Sequence, residues 1–198
     1  MSNYDIRKMI TDIARSYVGT REGDATHKAI VEDYNFILPH PRGYKLKLTD
    51  SWCAAFVSVV MLRAGVLDFP YECGAMEMKD ALYERNCLIR GRLPHPSELV
   101  FFTYSHVGIV YGSNDVDGII LDTEGNSGKM VADRTHYFTD KDILCFASWK
   151  PYNKEDIVTQ VMEGWWGDDW TERSRRLEIG GYNPEDIRKV VNERYKNG

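Results

Sequence analysis

The sequence lacks any apolar run that approaches the roughly 18–20 residues of a membrane-spanning helix. Residues 1–19 are amphipathic and carry acidic side chains, so the continuous apolar stretch and cleavage site of a secretory signal are missing too. We therefore expect no membrane partner. We also expect the protein to stay in the cytoplasm of the cell that makes it until another factor releases it.

Positive charge is also scarce. The 198 residues contain 25 lysines and arginines against 30 acidic residues, which gives a net charge of -5 at pH 7. A protein that binds nucleic acid by neutralising phosphates needs a broad basic patch or stripe. The basic run at residues 173–176 stands alone, so we expect no nucleic-acid partner. The hydrophobic fraction of 43% is enough for the buried core of an ordinary globular protein.

Paired cysteines are missing as well. No two of the four cysteines form a Cys-x-x-Cys pair, and no Cys/His cluster has zinc-finger spacing: Cys53, Cys73, Cys87 and Cys145. Disulfides are rare in a cytoplasm, so we expect free thiols. A free cysteine usually serves as a small buried hydrophobic residue, so a catalytic role must be argued from its surroundings.

The order of the predicted elements indicates an α+β fold. Apolar spacing and stop signals predict helices first, at 4–17, 26–36, 52–63 and 74–85. Segments rich in β-branched and aromatic residues then predict strands, at 99–104, 106–112, 118–124 and 142–149. Helices followed by strands favour an antiparallel sheet with the helices packed on it.

The composition changes near residue 153, and no strand pattern follows. Helical spacing of apolar residues, a glycine pair and the helix start Asn183-Pro184 predict three short helices. We therefore predict two domains, residues 1–152 and a small helical bundle over residues 153–198.

One cysteine and one histidine have the placement that thiol chemistry requires. Cys53 falls in the first turn of the apolar helix predicted over 52–63, where free backbone N–H groups and the helix dipole stabilise a thiolate. His106 opens a predicted strand, which can direct the imidazole toward that helix start as the base. A third group must orient the ring, and both Glu124 and Asn126 are candidates at the end of the next strand.

These residues lie in four motifs that resemble the CHAP branch of the NlpC/P60-type, papain-like hydrolases. The four motifs occur in the family's order: SWCAAFVSVVMLRAGV, SELVFF, SHVGIVYG and DTEGNS. The resemblance covers about residues 5–150. Ser97-Glu98 stands where the family usually has Gly-Asp, and Ser105 stands where it usually has Asp before the histidine.

The resemblance implies a papain-like fold and hydrolysis of amide bonds in the peptide part of peptidoglycan. It implies that Cys53 is the nucleophile, His106 the base and acid, and Glu124 the orienter, with Asn126 as a polar helper. The bond that is hydrolysed would then be the one cleaved by an N-acetylmuramoyl-L-alanine amidase or by a peptide endopeptidase. Some relatives carry an acidic calcium loop before the nucleophile, but residues 45–50 contain one acid, so we expect no metal and no cofactor.

The C-terminal segment resembles the CW_7 cell-wall-binding repeat of some phage lysins. The matching positions are Gly164, Trp166, Gly167, Arg173, Arg176, Leu177, Gly181, Tyr182, Val191 and Asn192. The resemblance implies binding of the sugar–peptide unit, and we predict Arg173, Arg176, Trp166 and Tyr182 as contact residues. A guanidinium can hold a muropeptide carboxylate with two hydrogen bonds. The alternative is that the tryptophans form the bundle core and the arginines a solvated face.

Both resemblances point to bacterial peptidoglycan as the partner, and with the missing signal they favour a phage endolysin-like hydrolase. Two other hypotheses stay open. One is a papain-like transamidase or antibacterial toxin, and the other is a wall-binding protein without activity.

Overall fold

The computed structural model describes residues 3–197 and confirms the α+β fold. Four helices come first in the chain: α1 (Asn3–Ser16), α2 (Ala25–Asn35), α3 (Cys53–Arg63) and α4 (Ala75–Glu84). Six strands follow: β1 (Leu88–Ile89), β2 (Leu99–Phe102), β3 (His106–Asn114), β4 (Ile119–Glu124), β5 (Ala132–Tyr137) and β6 (Ile143–Ala147). Three more helices complete the chain: α5 (Lys154–Met162), α6 (Trp170–Ile179) and α7 (Pro184–Asn197). Within residues 3–197 no helix has both the length and the apolar character needed to cross a membrane.

The strands form one antiparallel sheet in the order β1-β6-β2-β3-β4-β5. Two of them, β1 and β5, have no counterpart among the strands predicted from the sequence. β1 has two residues, which is too short for a pattern. β5 is an edge strand with the sequence ADRTHY, and four of its six side chains are polar or charged, so it shows no apolar alternation.

Helix α3 is buried around nearly its whole circumference, between the sheet and helices α1, α2 and α4. Nine of its eleven residues are buried, as expected for a helix that is apolar on every side. Gly125 follows β4 and lies against Phe56, so that a Cβ on this glycine would come within 2.5 Å of the phenylalanine Cβ. This close approach brings the first turn of α3 beside the end of β4.

Helices α5, α6 and α7 surround their own apolar cluster. Its fully or nearly buried members are Ile157, Val158, Val161, Trp166, Leu177, Ile187 and Val191. The cluster is separate from the main core, which is built around α3 and the sheet. We call residues 153–197 the tail.

The tail is docked on the rest of the chain and does not stand apart from it. The Trp165 ring stacks on His95 with ring centroids 3.9 Å apart and planes 7° apart. The guanidinium of Arg7 lies over the Trp165 ring, 4.4 Å from its centroid. At Gly91 the backbone meets Arg176, and a Cβ there would lie 2.1 Å from the Arg176 carbonyl oxygen.

A buried ion pair lies at this junction. Arg92 donates two hydrogen bonds to Glu98, 2.7 and 2.9 Å long, and both side chains are almost fully buried. The Tyr152 hydroxyl and the His95 backbone N–H also donate to this carboxylate. The pKa of Glu98 is lowered: burial raises it, but the charge and hydrogen bonds of Arg92 outweigh burial. Glu98 therefore holds the Arg92 guanidinium in place, 5.2 and 5.6 Å from the ring centroids of Trp165 and Trp166 in the tail.

Candidate active site

Cys53 is the first residue of α3 and is 3% exposed. Trp52 precedes it and supplies no side-chain cap, so the first-turn N–H groups are not covered by a capping side chain. The Cys53 thiol hydrogen-bonds with His106. A thiol at this end of a helix lies in the positive field of the backbone, which stabilises its anionic form.

His106 begins β3, opposite Phe102 of β2, and its ring contacts both Cys53 and Glu124. The Nε2 atom lies 3.0 Å from Glu124 Oε2, while the ring also hydrogen-bonds with Cys53. Burial lowers the pKa of the ring, but the hydrogen bonds and charges of Cys53 and Glu124 outweigh burial and raise the pKa to about 10. A ring with this pKa is protonated at pH 7.

Glu124, the last residue of β4, is 3% exposed and is the carboxylate that contacts the His106 ring. It accepts hydrogen bonds from both His106 and His136, through different oxygens. Burial acts to raise the pKa of Glu124, but these bonds and one from Ser127 hold it well below its usual range. The carboxylate is therefore ionised and can balance a positive charge on His106.

Asn126 does not share this role. Its side-chain nitrogen donates to the Ser51 hydroxyl at 3.1 Å, and no hydrogen bond to His106 occurs within residues 3–197. Asn126 has φ 58°, a left-handed conformation that asparagine tolerates better than most residues. It connects the turn after β4 to the segment just before Cys53, so its position is that of a support for the loop.

His136 belongs to the cluster, although the sequence analysis did not select it. It lies on β5, and its Nε2 atom is 3.1 Å from Glu124 Oε1. The hydrogen bond to Glu124 raises the pKa of His136, with burial acting in the opposite direction. Without a predicted β5, nothing in the sequence indicated which way this side chain points.

Asp122 completes the cluster beneath the two histidines. Its side chain is fully buried over Gly108, where a Cβ would come within 1.9 Å of Asp122 Oδ2. Among the described residues no donor forms a hydrogen bond with either of its carboxylate oxygens. Burial and the negative charge of Glu124 raise the pKa of Asp122 to about 8.

A groove opens beside the start of α3. It is lined by Arg42, Tyr44, Leu46, Asp50, Ser51 and Cys73. On the other side of the histidine, the Tyr104 and Phe102 rings lie 5.8 and 5.9 Å from the His106 ring. Ser51, which lines the groove, lies two residues before Cys53 in the chain.

Of the four predicted wall-contact residues, the structure places Trp166 in the interior of the tail and Tyr182 partly buried beside it. Trp166 is 2% exposed, and its indole N–H donates to Gln160 at 3.2 Å, so the ring is not a surface for sugars. Tyr182 packs edge-on against Trp166 and is only partly exposed. Sequence matching could not distinguish a repeated position that builds the core from one that contacts a ligand.

The two arginines are more accessible but already have partners. Arg173 donates to the Gly167 carbonyl at 2.8 Å and closes the loop before α6. Arg176 pairs with Glu172, and at 3.2 Å with Asp115 on the sheet side of the junction. A groove on the tail is lined by Val161, Trp170, Arg173, Leu177, Ile187, Arg188, Val191 and Asn192. Trp170 and Arg188 were not predicted, and the Arg188 guanidinium lies 4.5 Å from the Trp170 ring centroid.

Comparison with known proteins gives little further information. No protein-family model matches the chain, and no curated protein matches it. A solved structure that is similar is an N-acetylmuramoyl-L-alanine amidase from Staphylococcus aureus, with 16% sequence identity and a TM-score of 0.39. The similarity covers 67% of this chain and 35% of that chain, so this chain spans about a third of that protein's length. A likeness at this level carries no conclusion about activity.

Proposed function

We propose that the protein is a cysteine-dependent peptidoglycan hydrolase of the CHAP type, with a tail that binds the cell wall. The observation that carries the proposal is the hydrogen-bonded chain from Cys53 through His106 to the buried Glu124, at the start of a buried helix. Nucleophile, base and orienter are in contact, which is the arrangement that activates a thiol. The substrate class comes from the motifs around these residues.

In the first step the Cys53 thiolate attacks the carbonyl carbon of the amide. The negative oxygen of the tetrahedral intermediate accepts hydrogen bonds from backbone N–H groups of the first turn of α3. The C–N bond then breaks, His106 gives its proton to the leaving nitrogen, and the acyl group stays on the sulfur as a thioester.

In the second step water replaces the amine. Neutral His106 takes a proton from the water molecule, whose oxygen attacks the thioester carbon. The C–S bond breaks, the product leaves as a carboxylic acid, and the thiolate and the protonated His106 are restored. Glu124 stays ionised throughout and stabilises the charged ring in both steps.

The groove beside Ser51 supports a peptide-like substrate. Arg42 lines it and can pair with a carboxylate, and Tyr44 is exposed there with its hydroxyl donating to Asp50. Arg42 already pairs with Glu72 and Glu77, so a substrate carboxylate would compete with these acids. The substrates of an amidase and of an endopeptidase both carry such groups, so the two activities are distinguished by the products of the reaction.

The tail is proposed to hold the enzyme on the wall. The groove with Trp170, Arg173 and Arg188 combines an aromatic face for sugars with two guanidinium groups for carboxylates. Binding to an insoluble repeating polymer raises the effective concentration of substrate at the active site without new contacts there. We further propose an endolysin-like role, in which the protein is kept in the cytoplasm until the membrane is opened.

The test is digestion of purified Gram-positive cell walls, with the released fragments identified by mass spectrometry. The wild type should either release free stem peptides, as an amidase does, or cut the peptide cross-bridges, as an endopeptidase does. Cys53→Ser should fall below about a hundredth of the wild-type rate while remaining folded, because serine is not ionised at neutral pH. Cys145→Ser is the matched control and should keep its activity, because Cys145 lies on β6 outside the groove; a folded Cys53→Ser variant with substantial activity would refute the proposal.

A further inference from the structure

The side chains of Asp122, Glu124 and His136 converge on one point. Asp122 and Glu124 are two residues apart on β4 and therefore share a face of the sheet. His136 lies on the neighbouring strand β5, opposite Ile120 in the antiparallel register, and reaches the same face. One ligand atom from each of the three residues lies within 4.8 Å of the other two.

The donor spacing fits a small tetrahedral cation. His136 Nε2 lies 3.1 Å from Glu124 Oε1 and 3.4 Å from Asp122 Oδ1. Zinc holds nitrogen and oxygen ligands at about 2.0–2.2 Å, which places neighbouring ligands of a tetrahedron about 3.3–3.5 Å apart. The 3.4 Å separation between His136 and Asp122 lies in this range, and the 3.1 Å separation between His136 and Glu124 is about 0.2 Å shorter, so a small movement of one side chain would admit the ion.

Asp122 provides an independent reason to expect a cation. Its carboxylate is fully buried, and within residues 3–197 neither oxygen has a hydrogen-bond donor. A buried carboxyl group that accepts no hydrogen bond is costly to ionise beside the carboxylate of Glu124. The His136 ring lies 3.4 Å from Asp122 Oδ1, and a cation held between the three side chains would bind a carboxylate oxygen to which the described residues donate no hydrogen bond.

We propose that Asp122, Glu124 and His136 bind a Zn²⁺ ion, with the fourth coordination position open to solvent or substrate. Three protein ligands with one imidazole fit zinc, whereas calcium takes six to eight oxygen ligands and magnesium demands an octahedron. The His136 side chain is 19% exposed, which gives the ion a route to the site. The Asp140 carboxylate lies 4.0 Å from His136 Nδ1, in the place where ligating histidines usually have a carboxylate partner.

The ion would be linked to the candidate active site through Glu124. One oxygen of Glu124 would bind zinc while the other contacts His106. Zinc would therefore draw the negative charge of Glu124 away from the His106 ring, which that charge stabilises. This regulatory consequence rests on the proposed function, but the binding of zinc does not.

The binding experiment uses the full-length Cys53→Ala protein, so that the thiol cannot act as a ligand. After treatment with EDTA and its removal, Zn²⁺ is titrated by calorimetry and Co²⁺ by absorption spectroscopy. We expect one ion per chain and a Co²⁺ spectrum typical of nitrogen and oxygen ligands. Because changes beyond the direct ligands already weaken metal sites 10–100-fold, Asp122→Asn should weaken binding by at least about tenfold.

The matched control is Asp133→Asn. Asp133 is a carboxylate on the same strand as His136, but it accepts a hydrogen bond from Thr123 and lies outside the cluster. This variant should bind zinc as the parent does. If Asp122→Asn does not fold, His136→Gln takes its place. No binding at about 100 µM Zn²⁺, or equal binding by the parent and the folded cluster variant, would overturn the proposal. The outcome is independent of wall hydrolysis, because the protein measured lacks the proposed nucleophile.

Discussion

Two buried clusters of charge differ in how completely they are paired. At the junction between sheet and tail, both oxygens of Glu98 accept hydrogen bonds, from Arg92, Tyr152 and the backbone. At the edge of the sheet, Glu124 bridges two histidines while the neighbouring Asp122 has no donor within the described chain.

The difference indicates what each cluster does. A fully paired buried charge fixes the groups around it and resists change in protonation, so Glu98 serves to hold two parts of the chain together. An incompletely paired cluster contains groups with shifted pKa values, and such groups are concentrated at functional sites. We therefore attribute structure to the first cluster and chemistry to the second.

The largest effect is expected from the same substitution in each cluster. Glu98→Gln should lower the free energy of unfolding by about 3–5 kcal/mol, since it leaves Arg92 buried without a counter-charge. Glu124→Gln should instead lower the rate of wall hydrolysis at least about a hundredfold in a protein that still folds, since His106 loses its anionic partner. Urea unfolding and turbidity assays on both variants measure this.

The reverse pattern would break the comparison. A stable Glu98→Gln protein would show that the junction does not depend on the ion pair, and an active Glu124→Gln protein would remove Glu124 from the mechanism.

A smaller effect is expected in the tail groove. Arg188→Ala should reduce retention on purified walls by roughly three- to tenfold, the loss of one charge-assisted contact, and should leave cleavage of soluble muropeptides unchanged. Arg194→Ala is the matched control, because Arg194 lies on the same helix but pairs with Glu155 outside the groove. Equal retention of both variants and the wild type in a pull-down would assign the groove another role.

The smallest effect is a pH dependence of the junction. Burial lowers the pKa of His95, which stacks on Trp165, to about 4, below the value of about 6.5 for a free histidine. The unfolded chain therefore binds more protons between these values, and the stability that neutral His95 contributes is lost as pH falls from about 6.5 to 4. Thermal unfolding at pH 7.5 and pH 5 should show a larger decrease for the wild type than for His95→Gln. Parallel decreases in the two proteins would show that His95 titrates normally.

The sequence was sufficient for the features that depend on apolar patterns. The all-round apolar segment after Trp52 predicted helix α3 with Cys53 at its start, and the β-branched runs predicted β3 and β4, which carry His106 and Glu124.

The sequence was not sufficient where tertiary contacts determine the structure. β5 is a polar edge strand, so the sequence did not reveal it, and His136 was missed with it. The carboxylate of Glu98 and the carbonyl that holds Arg173 are partners that only the folded chain brings close. The buried side of Trp166 likewise depends on how three short helices pack.

The most direct test of the central claim is to block Cys53 reversibly and follow activity. The full-length protein is treated with methyl methanethiosulfonate for increasing times, and peptide mapping gives the modified fraction of each of its four cysteines. If Cys53 carries the reaction, the remaining rate of wall hydrolysis should equal the fraction of unmodified Cys53, whatever the state of Cys87 and Cys145, and a thiol reductant should restore it. Hydrolysis at the full rate by protein whose Cys53 is completely blocked would contradict the account.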